Sequence, residues 1–245
     1  MVLKSLHLRD FRNYTEQEVS FADGMNILMG DNAQGKTNLV DAVMLVSLGK
    51  CPRVTRDREL IRWNADRARV QAEVVKRYGD DEVEAVIDKT VGKCVSVNRM
   101  PLTRLGELMG VVATVLFSPE QMSIVKDAPG ERRRFMDIAL CQLSKPYFYL
   151  LNRYNRILSQ RNKLIKSGNH AAIEVWDMQL AHEGARIIKT RRGFIERLSV
   201  YAAAAHSRLS GGKETLCLSY EGIAGDTAET IEAAFIEELA RTRES

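Results

Sequence analysis

No apolar run among the 245 residues approaches the ~20 that a membrane-spanning helix requires, so no membrane segment is expected. The opening stretch to Tyr14 already carries Lys4, Arg9, Asp10 and Arg12, too much charge for the apolar region of a secretory signal. A soluble, cytoplasmic protein is the expectation. Cysteine is scarce: Cys51, Cys94, Cys141 and Cys217 lie 43, 47 and 76 residues apart, with no CxxC pair and no histidine at ligand spacing. Disulfide frameworks and zinc sites use closer or repeated spacings, so four reduced structural thiols are expected and Cys/His metal catalysis drops out. There is no internal repeat. Hydrophobic residues at 45% and charged residues at 28% are near globular averages, which excludes disordered and collagen-like classes. The length allows one large domain or two modest ones.

The net charge of +4 hides a polarised chain. Residues 1–121 carry 17 Lys+Arg and 17 Asp+Glu, residues 122–213 carry 17 against 7, and residues 214–245 carry 2 against 8. A block with that excess of cations can attract phosphate backbones, and the acidic end can fold against it or simply solvate. Charge alone does not choose.

Hydrophobic periodicity separates the same regions. Two-residue alternation at Leu6 and Leu8, Val19 and Phe21, Val70 to Val74, Val83 to Ile87, and Val95 and Val97 predicts strands joined by hairpins at Gly79-Asp80-Asp81 and Val91-Gly92-Lys93. The runs Met25–Met29 and Val111–Phe117 predict two more strands, both buried. Thr37 to Val46 predicts a deeply buried helix stopped at Gly49, and Ser118-Pro119 with Gln121 predicts a helix start. Beyond residue 130 the period becomes helical: Tyr147 to Ile165 forms one long pattern, Ser167-Gly168-Asn169 breaks it, and Ile173, Leu180, Ile187, Phe194 and Tyr201 recur every seven residues. Two long helices in an antiparallel hairpin follow, as a packed helical lobe or a projecting arm. Leu216, Leu218 and Tyr220 predict a late strand, and Ala228–Arg241 an acidic helix.

The segment Gly30-Asp31-Asn32-Ala33-Gln34-Gly35-Lys36-Thr37 matches the P-loop pattern GxxxxGK[ST] without a gap. A strand before it and a helix after it are what the pattern needs, because amides at the helix N-terminus wrap the phosphates. Gly30 and Gly35 let the backbone approach the phosphates, Lys36 reaches the β and γ phosphates, and the Thr37 hydroxyl ligates Mg²⁺. Nucleotide binding, of ATP or GTP, is the expectation.

Hydrolysis also needs a second acid for Mg²⁺, usually an Asp after an apolar strand. Ala85-Val86-Ile87-Asp88 lies between hairpin turns, Ala233 to Glu237 lies in a helix-period segment, and Val111–Phe117 is followed by Ser118. None fits. Leu209-Ser210-Gly211-Gly212-Lys213 is one residue from the LSGGQ signature of ABC-type ATPases, but it follows a long helix, so a helix-terminating glycine pair is the better account.

These residues together resemble the RecF family of DNA replication and repair proteins, relatives of SMC-type and ABC-type ATPase heads. The resemblance is carried by Leu6-His7-Leu8-Arg9-Asp10-Phe11-Arg12-Asn13-Tyr14, the P-loop, Leu48-Gly49-Lys50 through Arg56 to Trp63, Val115 to Glu120, Arg132-Arg133-Arg134-Phe135-Met136-Asp137 and Gln160-Arg161-Asn162. It runs from residue 1 to about residue 222. It implies an α/β ABC/SMC-like P-loop head with a mixed sheet, plus an inserted helical lobe that contains the hairpin. The corresponding divisions are an ATP-binding lobe at 1–120, a basic helical lobe at 121–213, and a strand with an acidic helix at 214–245.

The resemblance further implies ATP and Mg²⁺ as ligands, ATP-dependent homodimerisation, binding to single-stranded or gapped DNA, cooperation with RecO and RecR in recombinase loading, and support of the SOS response. Candidate DNA contacts are Arg132, Arg133, Arg134, Arg153, Arg156, Arg161, Lys163, Lys166, Lys189, Arg191 and Arg192. Arg12, Asn13 and Gln121 occupy positions that come near the nucleotide in related heads, with an ordinary turn or cap as the other reading. RecF proteins continue well beyond this length, and the further stretch carries their signature motif and Walker B strand, so the chain reads as the N-terminal two thirds of such a protein. A weak ATPase is the family's activity, and whether this chain hydrolyses ATP stays open. The alternatives are a non-enzymatic truncated remnant or a P-loop kinase or transferase.

Overall fold

The computed structural model describes residues 1–126, 128–168 and 173–242. It forms two compact units, Met1–Phe117 with Gln142–Lys145, and Ser118–Cys141 with Pro146–Ser245.

The first unit is one six-stranded sheet and a helix. Strands β1 (Val2–Phe11), β2 (Tyr14–Ser20), β3 (Arg67–Val75), β4 (Asp81–Asp88), β5 (Gly92–Val97) and β6 (Met100–Pro101) lie in the order β2-β1-β3-β4-β5-β6. All five ladders are antiparallel, so the parallel pairing of a mixed sheet is not formed among the described residues. Alternation puts Leu6, Leu8, Val70, Val74, Val83, Ala85 and Ile87 on the buried face. The other face is polar and laced across strands, with Ser5 bonded to Glu73 at 3.0 Å, Arg67 paired with Asp88 at 3.1 Å, and Arg69 paired with Glu84. Helix α1 (Lys36–Leu48) buries Leu39, Ala42, Leu45 and Val46 and ends at Gly49, whose φ of 64° is the left-handed stop the sequence predicted.

Two expected buried strands do not form. Met25–Met29 and Val111–Phe117 join no ladder, and Met25, Met29, Val115 and Phe117 are 86, 87, 91 and 87% exposed. An apolar run specifies that a segment can be buried, whereas pairing needs a neighbouring backbone, and none among the described residues supplies it. Val111–Phe117 is therefore buried on one face only. Its Thr114 backbone is bonded by a side chain in place of a strand: Thr114 N donates to Gln142 Oε1 at 2.8 Å, and Gln142 Nε2 donates to Thr114 O at 3.0 Å. Ser47 of α1 donates to Val112 O at 2.8 Å beside it. The predicted strand at Leu216–Tyr220 is likewise absent.

The second unit is helical: α2 (Ser123–Lys126), α3 (Pro129–Leu143, of which the last two residues belong to the first unit), α4 (Lys145–Lys166), α5 (Ile173–Ser210) and α6 (Ala228–Arg241). A 3₁₀ turn at Pro119–Met122 occupies the predicted helix start, with Gln121 N bonded to Ser118 O at 2.9 Å. Of the heptad seam, Ile173, Leu180 and Ile187 are buried, Phe194 is half-buried and Tyr201 is exposed. Length explains this: at about 1.5 Å per residue, the 22 residues of α4 cannot line the 38 of α5. Ile157 packs against Leu180, Ala181 and Leu239, and Ile231 packs against Ala185 and Ile188, so the acidic α6 folds onto the hairpin. Gly184 makes this three-helix contact possible. A Cβ there would meet the Phe235 ring, with Cδ1 at 2.9 Å, and Tyr154 Cε2 at 3.2 Å.

The thiols are all free, with Cys51 and Cys141 buried and Cys94 and Cys217 exposed. Burial pushes Cys51 up to about 11 and Cys141 up to about 12, and a neutral thiol is a poor nucleophile. A disulfide-exchange reagent at mildly alkaline pH should therefore titrate two thiols quickly in native buffer and all four in denaturant. Rapid reaction of Cys51 in native buffer would contradict this packing.

Candidate functional site

The loop before α1 has an unusual backbone for its residue types. Gly30 has φ 147°, Ala33 66° and Gly35 106°, the last being the N-cap of α1. Asn38 N and Leu39 N both donate to Gly35 O, at 2.8 and 3.1 Å, which starts the helix directly from the loop. Lys36 folds back, and its Nζ donates to Gly30 O and Asp31 O at 2.6 Å each. The ammonium thus spans the mouth of the loop.

This donor set fits a polyphosphate. No acidic residue lies in the first turn of α1, the helix end brings a positive partial charge, and Lys36 adds a whole one. Thr37, in the same turn, is exposed. Among the described residues no group of three or more His, Cys, Asp or Glu side chains is placed to hold a metal. Mg²⁺ at this loop would be held by Thr37, phosphate oxygens and water, a coordination that suits its preference for oxygen ligands.

The turn between β1 and β2 backs the loop. Asn13 Nδ2 donates to Gln34 O at 3.2 Å, and Asn38 Nδ2 donates to Asn13 Oδ1 at 2.8 Å. A Cβ at Gly35 would lie 2.6 Å from Tyr14 Oη and 2.7 Å from Asn13 Oδ1, so a side chain there would displace both, and the φ of 106° itself favours glycine. Arg12, at φ 57°, points the other way, into the unit, where its Nη2 donates to Asp41 Oδ2 at 3.0 Å. Asp41 was not among the expected site residues. The signal for it is the one acid of α1, set among the apolar letters of Leu39 to Val46.

The basic candidates divide by burial. Arg161 is 8% exposed and paired with Asp177, and Arg191 is clamped on Asp137 through Nε at 3.0 Å and Nη2 at 2.7 Å. Tyr147 Oη also donates to Asp137, at 2.6 Å, and burial raises its hydroxyl's pKa above the usual tyrosine range. Arg192 donates to the carbonyls of Gly225 and Ile223. These three serve the helical packing rather than the surface, because a guanidinium drawn from water by its stem must find acceptors inside. Arg153 is exposed but bonded at 2.9 Å to the buried Glu183, and Arg132 donates to Ile124 O at 3.2 Å. Arg133, Arg134, Arg156, Lys163, Lys166 and Lys189 stand on the exposed surface.

The decoy motifs take ordinary roles. The pair Gly211-Gly212 ends α5 with φ of 64° and 74° and a Gly212 N to Ser207 O bond of 2.8 Å, which is a glycine stop. Asp88 closes the β4–β5 hairpin, accepting from Thr90 Oγ1 at 2.7 Å, from Thr90 N at 2.8 Å and from Val91 N at 3.1 Å. The bonds from Thr90 hold its carboxyl well below the usual carboxylate range. Ala233–Glu237 lies within α6.

Residues 5–117 match the AAA domain family. Over 226 residues the chain is 41% identical to the DNA replication and repair protein RecF of Agathobacter rectalis, an alignment that takes in 90% of this chain and 62% of that one. It is 39% identical over 245 residues to the RecF of Clostridium perfringens strain 13, covering 99% of this chain and 68% of the relative. The chain therefore spans about three fifths to two thirds of these relatives' length. Among solved structures, that of the recombination mediator protein RecF-ATPrS in the RecFOR pathway superposes with a TM-score of 0.92 at 31% identity, over 99% of this chain and 68% of that one. The corresponding RecF-ATP structure gives 0.90.

Proposed function

Since this chain belongs to the RecF family of DNA replication and repair proteins, we propose that it binds ATP with Mg²⁺ in the Gly30–Thr37 loop and that bound ATP controls its association with single-stranded or gapped DNA. The observation that carries this reading is Lys36: its ammonium is bonded to Gly30 O and Asp31 O at the N-terminus of a buried helix without acids in its first turn. A triphosphate offers that ammonium full negative charges in place of two carbonyl dipoles, a stronger, charge-assisted pairing. Lys36 then orients the β and γ phosphates, Gly30 to Gly35 supply backbone amides, and Thr37 completes the metal's oxygen shell.

DNA binding rests on the exposed cations of the helical unit, chiefly Arg133, Arg134, Arg156, Lys163, Lys166 and Lys189. Phosphate contacts of this kind are sequence-independent and salt-sensitive. A role with RecO and RecR in recombinase loading, ATP-dependent pairing of two copies, and support of the SOS response complete the reading, all carried over from the family.

The test is DNA binding with and without ATP and Mg²⁺ across a salt series, for wild type and Lys36→Met. Expected is ATP-stimulated binding whose log affinity falls with log salt, with a slope near −0.7 per contacted phosphate on single strands. Lys36→Met should lose the ATP stimulation and keep the salt-sensitive remainder. Binding indifferent to both ATP and Lys36 would overturn the switch.

A further inference from the structure

We propose that Asp41 is a positioning residue for the nucleotide loop, holding the β1–β2 turn, through Arg12, against Gln34 and Gly35. The inference rests on the ATP-binding reading above for its functional consequence, but its structural part stands on its own.

Asp41 is 1% exposed, set beside the buried Ala42, Leu45 and Val46 of α1. A carboxylate drawn that far from water must be paired, and its partners converge from outside α1. Arg12 Nη2 donates to Oδ2 at 3.0 Å, and Arg53 Nη1 lies 3.5 Å from Oδ1. Arg12 is held at two further points, its N donating to Leu60 O at 2.7 Å and its Nη1 to Glu59 O at 3.3 Å, and its φ of 57° is the left-handed conformation that non-glycine residues seldom adopt. Its Nε is buried without a hydrogen-bond partner. A strained residue with an unsatisfied buried nitrogen stays in place only where the surroundings over-determine it.

The next residue carries the constraint to the loop. Asn38 and Asp41 are three apart and so share one face of α1. Asn38 bonds Asn13 and Asp41 bonds Arg12, so this face grips two consecutive residues of the turn. Asn13 in turn donates to Gln34 O, and Tyr14 Oη lies where a Gly35 side chain would be. Buried ion pairs contribute little net stability against apolar replacements, so conformational specificity is what this pair supplies.

The test measures backbone hydrogen exchange over residues 30–39 in the nucleotide-free protein, and the affinity of a fluorescent N-methylanthraniloyl derivative of ATP with Mg²⁺. Asp41→Asn should speed exchange at Asn38 and Leu39, whose amides donate to Gly35 O, and weaken nucleotide binding, each by about ten-fold, while β3 and β4 keep their protection. Asp41→Glu should recover part of both. Asn13→Ala alone should weaken binding by roughly three- to ten-fold, and the double variant should be no worse than Asp41→Asn, because both act through one turn. Should Asp41→Asn fail to fold, Arg12→Lys and Asn13→Ala carry the same loop-exchange test. Unaltered loop exchange in folded variants, or additive losses in the double variant, would overturn the proposal. If the wild type itself binds no nucleotide, the ATP reading falls, and loop exchange still decides the role of Asp41.

Discussion

Asp177→Ala is expected to cost the helical unit about 3–5 kcal/mol and to lower its melting temperature by roughly 10–20 °C. Asp177 is 1% exposed and Arg161 is 8% exposed, and the pair sits where α4 faces α5, beyond the apolar contact of Ile157 with Leu180 and Ala181. Removing the acid leaves a guanidinium buried with its main counter-charge gone, and the mutant helix cannot turn it back to water without giving up the stem's packing. The loss comes from that stranded charge rather than from the net worth of the pair. Arg161→Met with Asp177→Leu should therefore recover most of the stability. Thermal and denaturant unfolding followed by circular dichroism checks both, and a loss under about 1 kcal/mol for Asp177→Ala would sink the argument. The same double variant tests the placement of Arg161. It should leave DNA affinity and its salt slope unaltered, whereas alanine at the exposed Lys163 should reduce the slope by about one phosphate's contribution.

Gly35→Ala should separate folding from nucleotide binding. The left-handed φ of 106° costs an alanine about 1–2 kcal/mol. The steric part is relieved cheaply, since the atoms at 2.6–2.8 Å from the new Cβ are the far ends of Tyr14 and Asn13. Swinging Asn13 aside, however, breaks its bonds to Gln34 O and to Asn38, and moves the wall against which the loop rests. The variant should melt only a few degrees lower yet bind ATP at least ~10-fold more weakly, a loss of ~1.4 kcal/mol or more in binding. Calorimetric titration with ATP and Mg²⁺ alongside a thermal melt distinguishes the two effects. Wild-type affinity in a folded Gly35→Ala protein would show that neither the loop's φ nor its back wall matters to phosphate binding.

What was legible beforehand followed the kind of information involved. The hairpins of the sheet, the buried helix α1, its stop at Gly49, and the long helices α4 and α5 were all readable because each depends on local periodicity and on glycine chemistry. The GxxxxGK[ST] pattern is readable letter by letter, since it asks for a turn, a close backbone approach and one lysine. The letters of Met25–Met29 and Val111–Phe117 mislead for one shared reason. Their apolar letters are those of buried strands, but a strand exists only against a partner backbone, and a run of letters does not say whether one is present. Thr114 instead found the amide of Gln142, 28 residues away, a pairing that no pattern announces.

Secondary-structure grammar, the GxxxxGK[ST] pattern and the basic character of the helical region can be read from the letters, because periodicity, backbone freedom and formal charge are properties of neighbouring residues. Which cations face water is settled by folding alone. Arg133 and Arg134 are exposed while Arg161 and Arg191 are spent on Asp177 and Asp137, since a charge's role depends on where its partner is brought by folding. The same holds for Asp41, the one acid of α1, which gains its meaning only when the β1–β2 turn delivers Arg12 to it.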